Sequence, residues 1–347
     1  HAHSDGSATE GERKQVRLKV ALLCELHIHK EEDMDVRVLG SDDIGTLDKT
    51  KVKAALAAAF AGLKSGTSVQ PTQTVTVFPD EAGDAIFYPG ALWDLGLVGV
   101  KVSPYLASLA KAGKSPVTAY TLLLSVETGE PVLLCDSLAL TTARTAATTS
   151  LALDYLIPES AKTLCVIGAG KVALAHLDYA AQQHAWSQIR VHSPSLATSD
   201  ADGHAGRRDR LGALGLDVEV MDTAQAAVRD ADVVLLCTSS GTPVVETEWL
   251  EGVKVVTSIS TNVARAHEVA PESLQTFDVY CDYRATCPST AGDMVLAAEH
   301  TQWSADQILG DLPSMVTGEV HPIYNGRPMY FRSTGLGIED LAIASQV

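Results

Sequence analysis

The clearest chemistry in this chain lies where an apolar run meets a glycine turn. Cys165-Val166-Ile167 close a strand-like segment, and Gly168-Ala169-Gly170-Lys171-Val172-Ala173 follow at once and open a helical pattern. In such a GxGxxA run the first glycine permits a tight turn, and the second lets the backbone approach a pyrophosphate. The third position must be small so that helix and strand can pack closely. Unpaired N–H groups at the helix start then hold the phosphates. The spacing points to NAD(P)H as cofactor, and the loop residues Gly168, Ala169, Gly170, Lys171 and Val172 are expected to touch it. The later run Ala231–Ser240 ends in small polar residues, so Cys237, Thr238 and Ser239 are expected at the nicotinamide end, with Ser260 after the next strand. After the second strand, Ile189 to His192, the chain reads Ser193-Pro194-Ser195, where an NAD-specific site usually carries Asp or Glu. With hydroxyls at Ser193 and Ser195 and cations at Arg207 and Arg208, the balance leans toward the 2′-phosphate of NADP.

These residues need a parallel α/β scaffold, and the chain supplies its pattern. From Lys162 onward strand-like and helix-like segments alternate: TLCVIGAG, KVALAHLDYAAQQH, QIRVHS, then DVEVMD, ADVVLLCTSS and VKVVTSIS. That is the signature of a parallel sheet covered by helices on both faces. The preceding half reads differently. Val16 to Leu26 and Val36 to Leu39 are strand-like. Leu47, Val52, Leu56 and Phe60 recur at helical spacing, with Gly66 as a stop. TQTVTVF and DAIFYPG form a hairpin pattern around PDEAGD, and LVGVKVS and TAYTLLLSVETGEPVLLCDS continue it. The segment LALTTARTAATTSLALDYL is a helix with Leu140, Ala143, Ala147, Leu151 and Tyr155 on one face.

Bulk properties narrow the function further. At 347 residues, 46% hydrophobic and 20% charged, the chain suits two globular domains. A net charge of −17 excludes a nucleic-acid binder, which needs a basic footprint. The longest apolar stretches stop short of a membrane span. Six cysteines, none in a CxxC pair, argue against a structural metal and favour a reducing cytoplasm. The opening HAHSDGSATEGERKQ is polar, and residues 1–15 are expected to be a disordered leader.

Taken together with the glycine turn, Glu127-Thr128-Gly129-Glu130-Pro131, Leu140-Thr141-Thr142-Ala143-Arg144-Thr145-Ala146-Ala147, Phe331-Arg332-Ser333-Thr334-Gly335 and Glu339-Asp340-Leu341-Ala342 resemble the ornithine cyclodeaminase/mu-crystallin family. The resemblance covers nearly the whole chain after residue 16, and within the family it is strongest to the imine reductase (iminosuccinate and ketimine) branch. It implies an α/β fold: a Rossmann NAD(P)-binding domain over 141–290 and an α+β substrate-binding and dimerisation domain from both chain ends, 16–140 and 291–347. A homodimer is implied as well.

The resemblance also assigns roles. Lys101 matches a family lysine facing the substrate, and Arg144 matches the arginine that binds its carboxylate. A guanidinium grips a carboxylate through two parallel bonds, while an ammonium offers a point charge or a proton. Thr145 is expected to share the phosphate contacts. Two departures stand out. Asn262 aligns with the aspartate that engages the substrate amine in ornithine cyclodeaminase, and Gln73 stands where the family has an arginine. A small imino or keto acid held by Gln73, Lys101, Ser103, Arg144 and His267 is the implied substrate, with iminosuccinate, reduced to L-aspartate, the first choice. A lyase using bound NAD, or a non-enzymatic NADPH binder, are the competing readings. His176 is expected to be packing or solvent-facing, His267-Glu268 a proton relay or a helix cap, and Asp293 and Asp311 helix caps. No metal is expected.

Overall fold

The computed structural model describes residues 36–113, 115–197, 206–261 and 265–347. The expected leader, the run Val16 to Leu26 and Asn262 lie outside the described residues.

Two sheets organise the chain. The first has seven strands: β1 (Arg37–Leu39), β2 (Ser68–Val69), β3 (Thr74–Val77), β4 (Gly83–Leu92), β5 (Leu97–Leu106), β6 (Tyr120–Ser125) and β7 (Pro131–Asp136). Their order is β1-β7-β6-β5-β4-β2, with β3 also paired to β4 as the expected hairpin. All pairs are antiparallel except β1 with β7. Side chains alternate across a strand. One face therefore buries Lys101, Thr121, Leu123, Leu133 and Cys135, while Val38, Val98, Tyr120 and Leu134 are exposed on the other.

Helix α1 (Lys49–Ser65) starts where the Asp48 side chain accepts the N–H groups of Thr50 and Lys51. It stops at Gly66 in the left-handed region, as the sequence predicts. Its apolar stripe of Val52, Leu56 and Phe60 is buried. Helix α2 (Leu138–Leu156) packs on α1 and leads into the second sheet.

That sheet has eight parallel strands: β8 (Thr163–Ile167), β9 (Gln188–His192), β10 (Glu219–Val220), β11 (Val233–Leu236), β12 (Val255–Ser258), β13 (Asp278–Cys281), β14 (Ile308–Asp311) and β15 (Met329–Arg332). The order is β10-β9-β8-β11-β12-β15-β13-β14. Strands β11, β12, β13 and β15 are buried at every residue, as expected where a parallel sheet is covered on both faces. The order reverses between β8 and β11, and in such sheets the crevice at the strand ends there is where ligands bind.

Helix α3 (Lys171–Ala180) follows β8 and packs on α2. Helix α4 (Gly292–His300) precedes β14. The family resemblance groups 291–347 with the antiparallel half. In the structure β14 and β15 pair within the parallel sheet, while the helix Leu312–Val316 packs on α1 and α2 and the last helix, α5 (Gly337–Ala344), lies against β4, β5, β6, α1 and α2. A four-residue apolar strand has the same pattern in either sheet, so sequence periodicity does not separate the two placements.

Candidate active site

The glycine turn forms as its residue types require. Gly168 has φ 129°, and a Cβ there would lie 2.4 Å from the Cys237 carbonyl oxygen. That close approach of β8 to the end of β11 tolerates only glycine. The Gly168 N–H donates to the His192 carbonyl at 2.8 Å, which ties the turn to the end of β9. Gly170 caps α3 in extended conformation, and no side chain caps the first turn of that helix. The first N–H groups of a helix have no intrahelical acceptor. A Cβ on Gly170 would meet nothing within 4 Å, so the space beside this residue at the helix start is open. These residues fit a pyrophosphate.

At the ends of β11 and β12, where the sequence places the nicotinamide, Glu268 organises the backbone. Its buried carboxylate accepts from the Thr238 N–H and hydroxyl, each at 2.7 Å, from the Ser258 hydroxyl at 2.9 Å, and from the N–H groups of Ile259 and Ser260 at 3.0 and 3.1 Å. The Ser260 hydroxyl donates to the Ser240 carbonyl at 2.6 Å. Thr238 and Ser260 are thus held in place at the ends of β11 and β12, Cys237 is buried, and Ser239 is exposed. The Thr145 hydroxyl donates back to the Thr141 carbonyl of its own helix at 2.7 Å.

The second group of side chains is a buried ion-pair cluster where α2, β5 and α5 meet. Lys101 (2% exposed), Arg144 (6%), Glu339 (0%) and Asp340 (1%) are all withdrawn from water. Buried charges persist only when paired, and these are. Asp340 takes Lys101 Nζ at 2.8 Å on one oxygen and Arg144 Nε at 2.9 Å on the other. Glu339 Oε2 accepts from Arg144 Nη1 at 3.1 Å and from the Thr148 hydroxyl at 3.0 Å. The ammonium also lies 4.1 Å from the centre of the Tyr88 ring. Among the described residues Arg144 Nη2 has no acceptor, and Glu339 Oε1 is buried without a donor.

Burial drives the acid–base properties here. It lowers Lys101 to about 8, with Arg144 adding to the fall and Asp340 opposing it. Burial raises Glu339 to about 7 against the pull of Arg144, and the neighbouring Asp282 and Asp340 push the same way. Burial also works against the Arg144 charge, but Asp340 and Glu339 outweigh it and hold the guanidinium above its ordinary value.

Gly335 sits directly against Arg144. At φ 81°, its Cβ would fall 2.3 Å from Nη1. The turn before it is fixed by Asp282, whose Oδ2 accepts the N–H groups of Thr334 (2.5 Å) and Gly335 (2.9 Å).

Of the expected substrate residues, Lys101 and Arg144 come together on Asp340. Gln73 joins them indirectly, its Nε2 donating to the Gly335 carbonyl at 2.8 Å. Ser103 shares the Lys101 face of β5, but its hydroxyl donates to the Thr118 carbonyl at 3.1 Å. His267 has Nδ1 2.8 Å from the Arg265 carbonyl, and no bond joins it to Lys101 or Arg144 among the described residues. Asp311 does cap a helix, through Ser314.

Asp293 is a correction. It does not cap α4 but accepts from Arg332 Nε at 2.9 Å and the Tyr330 hydroxyl at 2.6 Å, because a fully buried arginine on β15 needs an anion. His176 is packing, not solvent-facing: its ring nitrogens lie 2.8 Å from the Val172 carbonyl and 2.9 Å from the Thr149 hydroxyl. Sequence reasoning missed Glu339 and Asp340 as site residues. Their signal was two adjacent acids inside GIEDLAIA, an otherwise apolar helix, where a carboxylate needs a buried cation.

A switch-point glycine turn on a parallel sheet, joined to a strand-rich unit with a buried cation pair, defines a Rossmann-type dinucleotide-binding protein with a second domain. More narrowly, residues 37–347 match the ornithine cyclodeaminase/mu-crystallin family, and the chain belongs to it. It is 45% identical over 300 residues to the NAD(P)H-dependent anabolic L-arginine dehydrogenase DauB of Pseudomonas aeruginosa, covering 86% of this chain and 92% of that one. It is 24% identical over 322 residues to the ketimine reductase mu-crystallin of Macropus fuliginosus, covering 92% and 95%. In fold it resembles the Thermococcus litoralis Δ1-pyrroline-2-carboxylate reductase in complex with NADH and L-proline, with TM-score 0.80, 24% identity and coverage of 90% and 96%. The iminosuccinate reductase of Paracoccus denitrificans in complex with NAD+ gives TM-score 0.79 at 23% identity, covering 90% and 94%.

Proposed function

We propose that this chain is an NAD(P)H-dependent oxidoreductase acting on C–N bonds, and that it reduces an α-imino acid to an L-amino acid. The observation that carries the reading is the convergence of Lys101 and Arg144 on Asp340, with one guanidinium nitrogen left free for a substrate carboxylate. The reduced nicotinamide, when bound, supplies the hydride. Arg144 Nη2 takes the carboxylate, and the missing side chain of Gly335 leaves the space that the guanidinium fills. Lys101 Nζ, at about 8, holds a proton at neutral pH within reach of an exchange with substrate. Its charge favours binding of the acid group. Burial of the cluster strengthens each of these interactions, because little water competes.

Both cations are already partly neutralised by Asp340 and Glu339, which leaves fewer donors for a second substrate carboxylate. The 2-oxo acid of arginine, offered with ammonia, therefore precedes oxaloacetate in the substrate panel, in keeping with the activity named for the Pseudomonas relative. Iminosuccinate remains the second arm. The test is consumption of NADPH or NADH by the purified protein with each 2-oxo acid and ammonia, with chromatographic detection of the L-amino acid. A stoichiometric match between the two is expected. Ammonia release from an amino acid with no net change in reduced cofactor would establish the lyase reading instead. We further propose a cytoplasmic homodimer that buries the exposed sheet face of Val38, Val98, Tyr120 and Leu134. A monomer by light scattering would refute the dimer.

A further inference from the structure

We infer that the pocket after β9 is built for a phosphate on the adenosine ribose, so that the chain selects 2′-phosphorylated dinucleotides. The inference rests on the dinucleotide reading of the glycine turn but not on the identity of the imino acid.

The location follows from register. β8 and β9 pair in parallel with Ile167 beside His192, and the Gly168 N–H is bonded to the His192 carbonyl. The residue after His192 therefore lies where a Rossmann sheet meets the adenosine ribose. A carboxylate there accepts the two ribose hydroxyls and repels a 2′-phosphate. This chain has Ser193 instead, and its hydroxyl lies 2.8 Å from that of Ser195.

Both serines are only 9% exposed. The Arg207 guanidinium, twelve residues further along the chain, reaches back and donates through Nη1 to the Ser195 hydroxyl at 2.7 Å. No carboxylate forms an ion pair with Arg207 among the described residues. Arg208 acts differently. Its Nε donates to the Leu196 carbonyl at 2.7 Å and braces the segment that carries the serines.

Two largely buried hydroxyls and an arginine that pairs with no carboxylate among the described residues make a donor set matched to a dianionic phosphate. A ribose hydroxyl alone would leave most of those donors unused. A guanidinium also presents several N–H groups in one plane, so it can keep Ser195 and still bind phosphate oxygens. Specificity then comes from donors left unpaired by the wrong ligand.

The experiment is equilibrium binding to the full chain without any imino acid, followed by fluorescence of the reduced nicotinamide. 2′,5′-ADP and 5′-AMP serve as competitors. NADPH is expected to bind about tenfold or more tighter than NADH, and 2′,5′-ADP to compete better than 5′-AMP by a similar factor. Arg207→Ala should bring the two dinucleotides close to equal affinity, and Arg207→Lys, which keeps the charge, should fall between. Ser193→Asp should reverse the order. Equal or tighter NADH binding by the unaltered protein overturns the inference, as does an Arg207→Ala variant that keeps its full NADPH preference. Because nothing is turned over, a failure of the imine-reductase reading would leave this result standing. Turnover with no NADPH preference would sink this inference alone.

Discussion

Asp340 is the side chain on which the cluster turns, and Asp340→Asn is its sharpest probe. The carboxylate serves Lys101 at 2.8 Å and Arg144 at 2.9 Å, one oxygen each. Asparagine keeps the shape but offers one oxygen and one NH2 group, so one cation loses its acceptor and faces a donor. Removing one partner of a buried pair costs about 3–5 kcal/mol, and a lower denaturation midpoint is expected.

The kinetic consequence is more specific. Burial has lowered Lys101 to about 8 from 10.5 although Asp340 pulls upward. Between those values the unfolded chain binds more protons than the folded one, so stability rises with pH across that window. At neutral pH the buried ammonium costs about 3 kcal/mol. Losing a charge-assisted hydrogen bond of about 1.5–3 kcal/mol should lower Lys101 by a further one to two pH units, roughly.

The assay is kcat/KM for imine reduction across neutral to alkaline pH, with free ammonia held constant. The wild-type protein should lose activity above about 8, and Asp340→Asn should begin its decline about one to two units lower. If the folded variant keeps the wild-type basic limb, Lys101 is not the group being titrated, and the reasoning fails.

Three further outcomes follow from the same geometry. Glu339 is raised to about 7 from 4.5, so the folded state holds the extra proton between those values and stability declines as pH rises through them. Glu339→Gln keeps an oxygen for Arg144 and Thr148. It should gain up to about 3 kcal/mol over wild type near pH 8 and little near pH 4.5, measured by chemical denaturation. His176 has the opposite sign: burial lowers it to about 4 from 6.5, so its share of stability is lost as pH falls across that window. His176→Gln should flatten the acid limb of the stability curve, and an unchanged limb would count against a neutral buried imidazole. Gly335→Ala forces a methyl into the Arg144 guanidinium, and kcat/KM for the imino acid should drop about a hundredfold, since small misplacements of a binding group have that effect.

The parallel sheet and its cofactor turn are legible in the sequence because they rest on local rules. Gly168, Gly170 and Ala173 occupy positions where steric demands act within a few residues. Lys101 and Arg144 are legible only through resemblance. Nothing in their own segments reveals the partners, since Asp340 lies 239 positions after Lys101 and 196 after Arg144. Charges that are balanced across such separations leave a one-sided trace, an acid in an apolar helix or a base in an apolar strand. Asp293 misleads for the same reason: its place near a helix start imitates a cap, and the buried Arg332 that it serves is 39 positions away.

Strand β15 sits between β12 and β13, although it follows both in the chain. Until Met329–Arg332 is synthesised, those two strands present bare backbone edges to each other across a gap, a hazard for wrong pairing. The helix that then follows delivers Glu339 and Asp340 to Lys101 and Arg144. One late event therefore seals the sheet and completes the charged cluster. A chain that ended before this step would carry the sequence of the glycine turn but not the two acids that pair Lys101 and Arg144.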